Sequence, residues 1–182
     1  MSRGPIREAL TRLEHEGLVI NRPNGRAFVA RLSRDDLDEV YTLRRVLESL
    51  AVACACQKAT PADLAEMQAI LDDMRTRIEQ GISEQEAAEL DLRFHDVLYR
   101  SSGNQRLLTF WTTLRPQIYI FLLSRNVANS DFRESVVRGH RDILDAISDR
   151  DAARAQAVIE GHLGFAYSRV IGSYILTGDN EG

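Results

Sequence analysis

The chain has 182 residues, 44% of them hydrophobic and 27% charged, with a formal net charge of −4. That length builds one core plus a small extra module, and the composition excludes a disordered chain or a membrane protein, since no apolar run approaches the ~18 residues of a span. Residues 1–31 carry six arginines against three glutamates, a net of +3, while the remainder holds 17 basic and 24 acidic residues, a net of −7, so a basic front meets a polyanion and an acidic body does not.

Taken in order, Met1-Ser2-Arg3-Gly4-Pro5 leads into an amphipathic segment and not into a signal peptide. Ser2 caps a helix expected to reach His15, with Pro5 in the first turn, where a missing N–H costs little. Ile6, Ala9, Leu10 and Leu13 form its apolar stripe, and Gly17 ends it. Leu18-Val19-Ile20, the turn Arg22-Pro23-Asn24-Gly25-Arg26 and Ala27-Phe28-Val29-Ala30 read as a short hairpin, with Asn24-Gly25 favouring a tight turn. A helix followed by a two-stranded wing with arginine at its tip is the back half of a winged helix-turn-helix. Arg3 and Arg7, four apart at the helix start, would face a DNA groove. The same pattern also describes a surface helix and hairpin with solvated arginines.

The run S-R-G-P-I-R-E-A-L-T-R-L-E-H-E-G-L-V, followed by R-P-N-G-R-A-F-V-A, closely resembles the recognition helix and wing of GntR-family transcription regulators. The resemblance implies that Ser2, Arg3, Gly4 and Arg7 approach operator DNA and that Gly25 enters the minor groove. The family places about two further helices before this point, whereas this chain starts inside the domain. Residues 1–32 are therefore expected to form a partial winged helix, truncated at its N-terminal side, whose apolar stripe has little to pack on.

Ser33 opens the second part, with Asp36 at the capping-box position. The helix after it turns Leu37, Val40, Tyr41, Leu47, Ala51 and Cys54 inward, with Arg44 and Glu48 on the same stripe and Arg45 outward. That pair is either a structural clasp or a way of presenting Arg44 to an anionic ligand. Cys54 and Cys56, two apart on one helix, cannot readily bridge each other. Both read as buried small hydrophobes of a cytoplasmic protein. Thr60-Pro61-Ala62-Asp63 starts a helix with the stripe Leu64, Met67, Leu71, Met74, Ile78, ended by Gly81. Ser83 and Glu86 form a capping box for a helix broken by Ser101-Ser102-Gly103-Asn104. The next runs from Gln105 to about Asn126, with Leu107, Leu108, Trp111, Ile118, Phe121 and Leu122 inward and a kink expected at Pro116. Asp131 and Asp149 are expected to start the last two helices, with Val136, Val137, Ile143, Leu144 and Ile147 on one apolar face and Ala155, Val158, Ile159 and Ala166 on the other. Residues 33–176 thus read as an antiparallel six-helix bundle and 177–182 as a disordered tail, in a mainly α chain.

Four of the core-facing positions are polar. In Glu89 to Arg100, Asp91, Phe94, His95 and Leu98 fall at i, i+3, i+4 and i+7, so a carboxylate and an imidazole share the apolar face. His140 interrupts the face of Val136, Val137, Ile143 and Leu144, and His162 that of Val158, Ile159 and Ala166, while His15 reads as surface. A single such histidine is more often a satisfied core residue. Three, on three helices, with a carboxylate, suit a divalent ion: zinc or nickel first, with manganese or iron tolerated. Of the two readings, mutual hydrogen bonding and metal ligation, the second accounts for all four together.

D-L-R-F-H at Asp91 to His95, G-H-R-D-I-L-D-A-I around His140 and G-H-L around His162 resemble the FCD domain, the ligand-binding half of the FadR branch of GntR regulators. L-R-R-V-L-E-S-L-A at Leu43 to Ala51 and S-G-N-Q-R-L at Ser102 to Leu107 resemble its other landmarks, and six helices resemble its VanR-type subgroup. The resemblance implies that Asp91, His95, His140 and His162 hold the ion, that a small organic acid completes its coordination and that a homodimer reads operator DNA; the inward position of Arg44 makes it the second contact expected for that acid. The resemblance also implies a sensor and no enzyme and no membrane partner. The alternatives are a metalloenzyme, a lyase or oxygenase, with Glu48 as its visible acid or base, and a truncated regulator that dimerises without binding DNA.

Overall fold

The computed structural model of the chain describes residues 3–15, 19–21, 26–29, 32–129 and 132–177. In order these form α1 Arg3–His15, β1 Val19–Asn21, β2 Ala27–Val29, α2 Arg34–Lys58, α3 Pro61–Glu79, α4 Glu84–Ser101, α5 Gln105–Ala128, α6 Phe132–Ser148 and α7 Ala152–Thr177. The expected residues 177–182 tail lies outside the described residues from 178 onward, as does the expected cap Asp131.

At the front, β1 and β2 pair antiparallel in the register Val19↔Val29, Ile20↔Phe28, Asn21↔Ala27, which is the expected hairpin. No described α1 side chain is buried, and Ile6 on its apolar stripe is 51% exposed. Gly4 and Arg7 are exposed on α1, whereas Ser2, Gly25 and the side chain of Arg3 lie outside the described residues.

Reciprocal caps space the bundle. The Ser33 hydroxyl accepts from Asp36 N–H at 3.1 Å and Asp36 accepts from Ser33 N–H at 2.8 Å. Thr60 with Asp63 and Ser83 with Glu86 repeat the arrangement at the starts of α3 and α4. Each box satisfies two N–H groups that a helix start would otherwise leave without partners. Asn104 caps α5, which then runs unbroken through Pro116 to Ala128, two residues beyond the expected end. Gly81, at φ 89°, closes α3, with Ile82 N–H donating to Arg77 O and Gly81 N–H to Ile78 O.

The last helix starts three residues later than Asp149. Residues Asp149 and Arg150 instead end α6: Asp151 N–H donates to Ala146 O and Arg150 N–H to Ile147 O. This closure places Arg150 at φ 59°, an unusual conformation for a side chain with a Cβ. Its guanidinium donates to Cys56 O at 3.0 Å and Ala59 O at 2.7 Å, capping the C-terminal carbonyls of α2. Asp151 then caps α7 through Arg154 N–H.

α2 packs on α4, α5, α6 and α7, so its inward face lies where four helices meet. Fully buried Leu37, Leu71, Phe94, Leu98, Trp111, Ile118, Ile143 and Ile159 are among the residues of this core. The two cysteines separate: Cys56 is buried, and Cys54, expected inward, is only half-buried because the stripe of α2 turns through Ala51, Val52 and Ala55 instead. No helix among the described residues is long and apolar enough to cross a membrane.

Candidate metal centre

Helix periodicity puts Asp91 and His95 one turn apart on α4, His140 on the buried face of α6 and His162 on α7. The bundle brings them together. One ring nitrogen from each of His95, His140 and His162 lies within 4.8 Å of the others. Oδ1 of Asp91 stands 3.6 Å from Nε2 of His95 and 3.7 Å from Nε2 of His140. Asp91, His95 and His140 are fully buried, and His162 retains some exposure. Ligand nitrogens on one ion with bonds of about 2.0–2.1 Å stand roughly 3–4 Å apart, so side-chain shifts on the order of half an ångström would close this group on a metal.

The outer partners orient the rings. Nδ1 of His140 is 2.7 Å from Val136 O, so it carries the proton and donates, leaving an electron pair on Nε2. Nε2 of His95 is 3.1 Å from an Arg44 nitrogen, which only donates, so this Nε2 accepts. Its Nδ1 then bears hydrogen and faces Oε2 of Glu48 at 2.9 Å, off line for a hydrogen bond. Both tautomers are assigned from the network. They turn two unprotonated Nε2 atoms toward Asp91. Oδ1 of Asp91 and Nε2 of His140 have no hydrogen-bond partner, although both are buried. Such groups are normally satisfied in a folded core, and adjacent electron pairs repel. A cation among them supplies what the protein donors do not, and the donor set of imidazoles and one carboxylate fits a borderline divalent ion.

The electrostatics favour the ligating forms. Burial raises the Asp91 carboxyl, but surrounding positive charge, led by His140 when that ring is protonated and then by Arg125, outweighs it and holds it well below the usual range. Burial pushes His162 well below the ordinary histidine range. Burial also lowers His95, against the opposing pull of Glu48. Metal ligation needs the deprotonated carboxylate and the neutral imidazole.

Gly139 has a packing reason. A Cβ there would stand 2.6 Å from Nδ1 of His162, closer than any real contact. Gly139→Ala is expected to push that ring out of the group and lower divalent-ion affinity about 10–100-fold, the range for displaced support of a ligand. The backbone effect runs the other way, since alanine favours a helix interior over glycine by roughly 0.5–1 kcal/mol. A chelator-competition titration beside a urea melt separates the two. Unchanged affinity would show that His162 does not depend on this gap.

All four residues read from the sequence as ligands therefore converge, and Arg44 reaches the same point from α2. Its Nε donates to Oε1 of Glu48, and its other end faces His95 and stands 4.0 Å from Oδ1 of Asp91. Glu48 is held between Arg44 and His95, so it is not free to act as the acid or base of an enzyme. Sequence reasoning missed Arg125 and Asn126. Arg125 donates to Oδ2 of Asp91 at 3.4 Å and to Asn126, whose amide donates to Glu84 O at 3.0 Å. The signal was present: Arg125 follows Ile118, Phe121 and Leu122 at i+7, i+4 and i+3, the same stripe logic that found Arg44.

Residues 39–165 match the family profile of the FCD domain. The chain is 30% identical over 176 residues to the Nta operon transcriptional regulator of Aminobacter aminovorans, covering 94% of this chain and 79% of that protein. Its structure is similar to that of McbR/YncC from Escherichia coli, with a TM-score of 0.84 at 26% identity over 96% of this chain and 87% of that one. It also shares the fold of the metal-free FCD domain of the regulator TM0439, with a TM-score of 0.62 at 19% identity over 77% of this chain and 94% of that one.

Proposed function

Because the chain belongs to the FCD-domain family of GntR transcription regulators, we propose that its bundle senses a divalent metal ion together with a small organic acid and passes their occupancy on to operator binding. Asp91, His95, His140 and His162 hold the ion in this reading, with zinc or nickel favoured by the donor set. The bound ion supplies a Lewis-acidic point charge that a carboxylate can join. Arg44 is the second contact of that carboxylate. The observation that carries the reading is the pair of buried acceptors, Oδ1 of Asp91 and Nε2 of His140, left without partners beside the three-histidine group.

Ligands on α4, α6 and α7 let occupancy alter how those helices pack. Coupling of this kind is typically about 1–3 kcal/mol, or roughly 5–150-fold in affinity for the second site. In a homodimer it changes the spacing of the two recognition helices and so the fit to an operator. The domain boundary near residue 32, the DNA contacts of Ser2, Arg3, Gly4, Arg7 and Gly25, and the FadR-branch, VanR-type affiliation belong to the same proposal.

The test is elemental analysis of the untagged protein, followed by a thermal-shift screen of small carboxylates with and without chelator. The expected result is about one equivalent of zinc or nickel and a carboxylate-dependent shift that chelator abolishes. A protein that neither retains nor takes up these ions overturns the reading.

A further inference from the structure

Resting on that reading, we infer that Arg44 is an internal cation which competes with the metal for His95, so that metal binding and release of Arg44 from His95 are one event. The Arg44 guanidinium lies 3.1 Å from Nε2 of His95 and 4.0 Å from Oδ1 of Asp91. Oδ1 of Asp91 also stands 3.7 Å from Nε2 of His140, and the His95 and His140 rings lie with centroids 5.3 Å apart. The electron pair of Nε2 points one way only: it accepts from Arg44 or binds an ion, and it cannot do both.

Charge leads to the same conclusion. Among the described residues the buried ionic groups are Arg44 and Arg125 against Glu48 and Asp91, a balanced set around the imidazoles. A divalent ion adds two positive charges to that enclosed volume, where charges are weakly screened. Like charges at this range repel, so the ion expels the nearer guanidinium, which is the one at His95. Glu48 tethers Arg44 through Nε on the same helix, one turn away, so the freed end stays beside the site. There it meets an anion that neutralises the excess. The arrangement makes the two ligands cooperative in a fixed order, metal first and carboxylate second, because the anion's guanidinium partner is engaged with His95 until the ion arrives.

The test is the nickel(II) affinity of the full chain, measured by competition with a chromophoric chelator in carboxylate-free buffer. Arg44→Met together with Glu48→Gln removes the competitor and keeps the core charge-balanced, while the glutamine carbonyl can still face Nδ1 of His95. Arg44→Lys keeps the positive charge and serves as the second variant, and the far-ultraviolet spectrum and a urea melt establish that each folds. The double variant is expected to bind nickel at least ~tenfold more tightly than the parent, the scale of losing one charge-assisted hydrogen bond that the ion must otherwise break. Arg44→Lys is expected to bind no more tightly than the parent. If Arg44 only braces the site, the double variant binds nickel equally or more weakly, and the inference is overturned. A parent chain that binds no nickel, zinc, manganese or iron overturns the sensor reading itself.

Discussion

Replacing Asp91 by alanine is expected to lower the unfolding free energy by about 3–5 kcal/mol, the range for stripping one partner from a buried ionic network. Asp91 is fully buried, and its two oxygens serve different groups. Oδ2 accepts from Arg125 at 3.4 Å, and Oδ1 faces Arg44 and the Nε2 atoms of His95 and His140. Without it, two buried guanidiniums stand against one buried carboxylate, that of Glu48, which pairs with Arg44. Arg125 depends on it most, because burial already pushes its ionisation down and Asp91 is the carboxylate that supports it. Urea denaturation in the presence of chelator measures the term free of any metal contribution. A loss below ~1 kcal/mol, the scale of an exposed pair, would mean that water reaches these charges in solution. Asp91→Asn keeps the shape and one acceptor oxygen and is expected to fall between the two.

His140→Ala and His162→Ala are each expected to reduce divalent-ion affinity by roughly a hundredfold or more, since loss of a ligand exceeds the 10–100-fold typical of its supporting partners. The two differ in their other effects. His140 is fully buried against Phe94, with ring centroids 4.8 Å apart, so its removal also leaves a cavity. His162 keeps some exposure, and its truncation is expected to be gentler on folding. Affinity by chelator competition and stability by urea melt should therefore separate: both fall for His140→Ala, and chiefly affinity for His162→Ala. His15→Ala, outside the bundle, is the control. If both variants retain the ion as the parent does, the three-histidine group is packing and not ligation.

These expectations draw on two kinds of information. The starts of α2 and α4 were legible because a capping box is a contact between residues three apart, and that of α3 because Thr60-Pro61-Ala62-Asp63 is a local start signal; the structure forms a box at all three. That Asp91, His95, His140 and His162 face a core was legible too, because a 3.6-residue period assigns each position to a face. Periodicity also marked Arg44 and Glu48 as inward. Where Asp149 misled, the reason was again local. Two aspartates, Asp149 and Asp151, offer the same cap chemistry, and the choice falls to Asp151 because Arg150 ends α6 in a left-handed turn anchored on the carbonyls of α2.

What a face looks at is another matter. Which helices stand opposite one another is set by packing between residues on different helices, in the contacts at this site from 23 apart in the chain (Gly139 and His162) to 51 apart (Arg44 and His95). Only that packing joined His95 to Glu48 and Arg44, tied Arg125 to Asp91 and set Gly139 beneath His162. It likewise buried Cys56 rather than Cys54. The amino-acid sequence by itself determined that Arg44, Glu48, Asp91, His95 and His140 point inward. The tertiary structure decided which of them meet, because a helical repeat encodes direction around one axis and carries no record of the neighbouring one.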